Sequence, residues 1–146
     1  RPSFVVIQTD DQTLDQLYAA IEPEGVPTEA MPNTLALIGD RGATFNRYYT
    51  PYSLCTLSRV SLLTGRYAHN HNVLGNVELN GGSRGFVNTG GVTHNRAPWL
   101  DWAAYRTLHG GQYVRGHSLL PARCSRALSR SRPTVRGAGL TVGTIR

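Results

Sequence analysis

The segment SFVVIQTDD at residues 3–11 constrains the chain most. Its F-V-V-I run is continuous and rich in β-branched side chains, the pattern of a strand buried on both faces of a parallel sheet. The run stops abruptly at Asp10 and Asp11. Two adjacent carboxylates just past the C-terminal end of such a strand occupy the edge where α/β sheets place their ligands. A turn there brings both to one hard cation, and an oxygen-only donor set favours Ca²⁺ or Mg²⁺ over zinc. Taken alone, the same pair serves more often as a turn or a helix cap.

The pattern after this strand keeps an α/β rhythm. Residues 22–33, EPEGVPTEAMPN, carry three prolines and a glycine and read as a loop. Asn33 is placed to cap a short helix, TLALIGDRG, with Leu35 and Ile38 on one apolar face and Gly39 or Gly42 near its end. ATFNRYYT at 43–50 alternates and is aromatic, which suits a second strand. Strand, helix and strand in succession predict an α/β architecture with a crossover connection. Ser53 then caps a helix through about Leu63, with Leu57, Val60, Leu62 and Leu63 toward the core and Gly65 as its stop. Residues 69–96 are rich in Gly and Asn and read as a long functional loop with at most one hairpin. Helical spacing resumes over residues 97–107, with Pro98 acceptable in the first turn.

Charge separates the two ends of the chain. Its 146 residues carry a net charge of +6, and all the basic residues are Arg. Through residue 101 there are seven Arg against nine acids, and from 102 onward eight Arg and no acid. The basicity therefore belongs to the tail, and no aromatic residue follows Tyr113 on which bases could stack. That argues against nucleic acid as a partner and for a solvated basic extension. The division expected is residues 1–114 as one α/β part and residues 115–146 as an irregular Arg-rich tail, disordered or read from a shifted frame. Two cysteines, Cys55 and Cys124, make one bridge at most and leave the redox compartment open. No apolar run approaches the roughly 20 residues that span a bilayer. The chain opens at Arg1 with neither Met nor a leader segment, as a clipped product or a fragment would.

Cys55 lies near a helix start, where a thiol is activated and anions such as phosphate or sulfate are attracted. Arg59 follows at i+4 on the same helical face, so its guanidinium is within reach of Cys55 or of an oxyanion bound beside it. A buried free thiol is the plainer reading of Cys55. His69 and His71 offer a second pair in the Asn-rich loop. His69 is a pocket candidate because that loop follows the Cys55 helix, although no third metal ligand is evident. Ser58 lacks the G-x-S-x-G elbow of a hydrolase nucleophile. Trp99 and Trp102 are core residues before they are sugar platforms.

Taken together, FVVIQTDDQ and MPNTLALIGDRGATFNRYYTPYSLCTLSRVSLLTGRYAHNHNV resemble the N-terminal part of the sulfatases. The likeness is to the arylsulfatase and N-acetylglucosamine-6-sulfatase branch of the alkaline phosphatase-like superfamily. It covers residues 1 to about 80 and recurs at WLDWAAYRTLHGGQY. It implies a partial alkaline phosphatase-like sandwich with a mostly parallel sheet. It also implies cleavage of an aryl or sugar sulfate ester through a formylglycine made from Cys55, whose hydrate attacks sulfur. Asp10 and Asp11, with residue 55, would be metal ligands for Ca²⁺ (or Mg²⁺), and Arg59 would hold the formylglycine and offset developing charge. The implied partners are the sulfate ester and a formylglycine-generating enzyme. The implied location is secreted, periplasmic or lysosomal-like.

Two positions depart from that pattern. Leu57 stands where the maturation signal has Pro, so conversion of Cys55 is expected to be weakened. Gln112 stands where the family's sulfate-contacting Lys is expected, and a neutral amide does not supply that charge. The further metal and substrate residues of the family would lie past residue 146, so a truncated chain of weak or no activity is expected. The alternatives are a phosphoesterase of the same superfamily, which would carry Ser or Thr at 55, and a non-catalytic Arg-rich module that binds polyanions.

Overall fold

A computed structural model describes residues 2–21, 28–77 and 79–116, together with the backbone of 141–145. Cys124, the Arg-Ser steps of the tail and the Pro-rich part of 22–27 lie outside those residues. The chain divides into two compact units, residues 1–10 with 50–146 and residues 11–49.

In the first unit the apolar run forms β1 (Phe4–Gln8). Helices α3 (Cys55–Thr64), α4 (Ala68–His71), α5 (Gly82–Asn88) and α6 (Arg96–Trp102) follow, then β4 (Thr107–Gly110) and β5 (Thr141–Ile145). The second unit holds α1 (Leu14–Leu17), β2 (Ala20–Ile21), β3 (Thr28–Glu29) and α2 (Pro32–Thr34). α2 continues as a π-helical turn over Leu35–Gly39. No helix among the described residues is long and apolar enough to cross a membrane.

The α/β character holds, but three details of the sheet differ from expectation. Its order is β1-β5-β4 and both pairings are antiparallel, so the mostly parallel sheet is not found among the described strands. β1 and β4 both oppose β5 and so run parallel to each other. The crossover expected between β1 and residues 43–50 is not formed, because those residues are not a strand, and a strand from the far end of the chain lies between β1 and β4. Finally, β1 is not buried on both faces: Val5 and Ile7 are 60% and 55% exposed, while Val6 and Gln8 on the other face are half-buried.

Local chemistry explains the remaining differences. ATFNRYYT is an exposed irregular segment with no strand partner among the described residues, and Phe45, Tyr48 and Tyr49 stand in solvent. The expected loop at 22–33 contains β3, paired with β2 in a short antiparallel ladder. Asn33 is not the cap. The helix starts at Pro32, whose fixed φ suits a first turn. It then widens, with Asp40 N–H donating to the Leu35 carbonyl at 2.8 Å, and this turns Ile38 outward.

The core of the first unit is Val60, Val73, Phe86, Tyr113 and Val114, with Leu63, Val87 and Val92 packed against it. The Phe86 and Tyr113 rings meet edge to face at 5.7 Å. α3 crosses this core with Leu57 and Val60 fully buried, as its spacing predicts, and Gly65 ends it at φ 67. The Gly-rich stretch expected to be loop contains α5. Gly85 sits there because a Cβ would meet the Asn80 backbone at 2.6 Å. Asn95 caps α6 with its side chain on the Ala97 N–H, and Pro98 falls in the first turn as expected.

Candidate functional site

β1 delivers Asp10, and α3 delivers Cys55 and Arg59 one turn apart. Cys55 is the first residue of α3, half-buried and not in a disulfide. Its N-cap position is Leu54 in extended geometry rather than Ser53, and Leu54 makes no side-chain cap. Arg59 is 4% exposed, and its Nη2 donates to Asp10 Oδ1 at 2.7 Å. A carboxylate oxygen of Asp10 lies within 4.8 Å of the Cys55 Sγ. Three residues separated by up to 49 positions are therefore gathered as a carboxylate, a guanidinium and a thiol.

The Arg59 head group is not fully used by this pair. Its Nη1 is buried and has no hydrogen-bond partner among the described residues. An orphaned buried guanidinium nitrogen is costly, and an anionic oxygen is the ligand that best satisfies it. Arg59 also lines a cavity of about 40 Å³ with Arg96, His109, Gln112, Tyr113 and Leu62. That volume holds a water or a small anion rather than a sugar ring. Gln112 lines the same hollow as Arg59. Arg96, in the first turn of α6, is a second cation there that sequence reasoning missed. Its position ahead of an apolar helix gave only the signal of an ordinary surface charge.

The two histidines separate. His69 is exposed and stacks on Tyr67 at 5.8 Å, and it does not line the cavity. His71 is 4% exposed and belongs to the packing between α3 and α4. Its Nδ1 accepts from the Val73 N–H at 3.1 Å, which leaves the proton on Nε2, 3.1 Å from Ser61 Oγ. Burial lowers its pKa below 6.5, the Arg66 and His69 charges lower it further, and backbone hydrogen bonds oppose the shift. His71 is a neutral structural residue with both ring nitrogens engaged.

Asp11 opens the second unit, exposed, with φ 51. Asp is among the few residues that tolerate this left-handed backbone, which turns the chain sharply after β1. Thr13 caps α1 two residues later in a capping box with Gln16. Leu57 is 2% exposed, so the residue at that departure is part of the core.

The sulfatase family profile matches residues 2–113. N-acetylglucosamine-6-sulfatase of Homo sapiens is 36% identical over 115 residues, covering 78% of this chain and 19% of that protein. The extracellular sulfatase SULF-1 homolog of Drosophila melanogaster is 37% identical over 118 residues, 81% of this chain and 10% of that protein. An arylsulfatase of Chlamydomonas reinhardtii is 29% identical over 120 residues, 82% of this chain and 17% of that protein. The chain spans about a fifth or less of the length of these relatives. No solved structure matches it.

Proposed function

The chain belongs to the sulfatase family, and on that premise we propose that it is the nucleophile-bearing part of a sulfuric ester hydrolase, with residues 1–114 as the sulfatase portion. The observation that carries this reading is the meeting of Asp10, Arg59 and Cys55 at the start of α3. Cys55 is the precursor of the nucleophile, converted to formylglycine by a formylglycine-generating enzyme. Arg59 holds the ester's anionic oxygens through the nitrogen that Asp10 leaves free, and Arg96 and Gln112 line the space beside it. A guanidinium fixed by an ion pair in a buried site costs little reorganisation when charge develops on the sulfuryl oxygens.

The carboxylate donors suit a hard cation. Asp10 and Asp11, consecutive after β1, would hold Ca²⁺ or Mg²⁺ with residue 55, and such an ion would polarise the ester and lower the cost of its negative charge. Two carboxylates fall short of the six to eight oxygens Ca²⁺ takes, so binding by this chain is weak. The substrate class is an aryl or sugar sulfate, after the arylsulfatase and N-acetylglucosamine-6-sulfatase named above. The word extracellular in the Drosophila relative's name supports a destination outside the cytosol.

The test is hydrolysis of an aryl sulfate and of the matching aryl phosphate by the chain co-produced with a formylglycine-generating enzyme. Slow sulfate release that disappears in Cys55→Ala supports the reading. Preferential phosphate release that survives Cys55→Ala replaces it with a phosphoesterase.

A further inference from the structure

We propose that Asn76 is the positioning residue for residue 55. α3 begins without help from its own N-cap, because Leu54 has no side-chain acceptor. The first-turn amides of a helix have no partner within the helix and need one from elsewhere. Asn76 supplies it from 20 positions away: its Oδ1 accepts from the Thr56 N–H at 3.1 Å. Thr56 follows Cys55 directly and is fully buried, so fixing its amide fixes the backbone from which the sulfur projects.

The segment carrying Asn76 is built to hold that carboxamide in place. Leu74 N–H donates to Asn80 at 2.7 Å, and Gly82 N–H donates to Gly75 at 2.9 Å, closing the loop on itself. The closure depends on glycine. A Cβ on Gly81 would lie 2.7 Å from the Gly75 backbone, and one on Gly82, at φ 55, would lie 2.5 Å from the Asn76 carbonyl oxygen. A side-chain cap delivered from a hydrogen-bonded segment loses less entropy on forming, and a neutral amide caps without placing a negative charge beside an anionic substrate. The last point also explains why an amide stands where a carboxylate would cap equally well.

That Asn76 supports a reacting residue rests on the sulfatase reading; the cap itself does not. The experiment therefore reads the helix start rather than turnover. Amide hydrogen exchange at Cys55 and Thr56 is compared for the wild type, Asn76→Ala and Asn76→Asp. Asn76→Ala is expected to speed Thr56 exchange roughly fivefold, the usual effect of losing a cap. Asn76→Asp keeps the acceptor and is expected to restore Thr56 protection, a rescue that loss of general packing would not give. Unchanged Thr56 exchange in Asn76→Ala, or Thr56 exchange in a folded Asn76→Asp as fast as in Asn76→Ala, overturns the proposal. Should Asn76→Ala fail to fold, Asn76→Ser, whose shorter side chain falls short of the Thr56 amide, takes its place with the same expected outcomes.

Discussion

Arg59 Nη2 lies 2.7 Å from Asp10 Oδ1, joining the end of β1 to the first turns of α3 across 49 positions of sequence. The guanidinium is almost fully buried and the carboxylate about a quarter exposed. Removing the acid leaves a buried cation with a second unpartnered nitrogen, and that asymmetry sets the cost.

Asp10→Ala should therefore destabilise the protein by about 2–3 kcal/mol, below the full cost for a wholly buried pair because Asp10 is partly solvated. Asp10→Asn retains an acceptor and should cost about 1 kcal/mol. Urea unfolding of the three proteins, with midpoints compared at equal slope, measures both. Equal midpoints would show that the pair contributes nothing to holding β1 on α3.

His71 makes stability pH-dependent in a defined direction. Its folded pKa is lowered below the ordinary 6.5, so the unfolded chain binds the proton more readily. Protonating Nδ1 would also set an N–H against the Val73 N–H. Stability should be full above about pH 6.5 and fall as pH drops from there toward the folded value. His71→Gln should be less stable at pH 7.5 by about 1–3 kcal/mol and should lose that part of the slope. Unfolding midpoints at pH 5 and 7.5 for both proteins check it, and parallel lines would contradict it.

Gly82→Ala should be more disruptive than its size suggests. The added Cβ meets the Asn76 carbonyl oxygen at 2.5 Å, and the backbone there has φ 55. Strain and clash together should cost about 2 kcal/mol or more. Thr56 amide protection should fall with it, because the loop holding Asn76 opens. Thermal unfolding with hydrogen exchange tests this, and a wild-type Tm would refute it.

What the sequence made legible follows the range of the interactions involved. α3 could be read because each determinant is local: apolar spacing from Leu57 to Leu63, and Gly65 in the left-handed conformation that ends the helix. Cys55 and Arg59 share its face for the same reason. Asp10 was legible as the end of a strand, but its ion pair with Arg59 depends on tertiary contact. α5 was missed because Gly81, Gly82 and Gly85 read locally as loop, whereas their lack of Cβ is required by neighbouring backbone. Arg96 and Asn76 were invisible for a related reason, since the cavity and the cap are made by residues far apart in the chain. β5 was not read because TVGTI is short and follows an Arg-rich stretch, and its strand partners lie more than 30 positions away.

Ca²⁺ affinity provides an independent check on the metal reading. Calorimetry should give a dissociation constant weaker than about 1 µM, since two carboxylates meet only part of the ion's demand. Asp10→Asn should remove the heat that remains. Submicromolar binding, or binding unaffected by Asp10→Asn, would place the donors elsewhere.

The central claim is that Cys55 is the precursor of the reacting group, and mass spectrometry of the Tyr52–Arg59 region reads it directly. On the proposed reading Leu57 stands where the maturation signal would have Pro, which favours extended backbone, so recognition is expected to be weakened with Cys55 and Arg59 still in place. Position 57 lies in the first turn of α3, where Pro is tolerated, although the buried leucine packing would be lost. After co-production with a formylglycine-generating enzyme, aldehyde should be found at Cys55 in a minority of chains, and Leu57→Pro should raise that fraction. A thiol at Cys55 in every chain of both proteins would contradict the account.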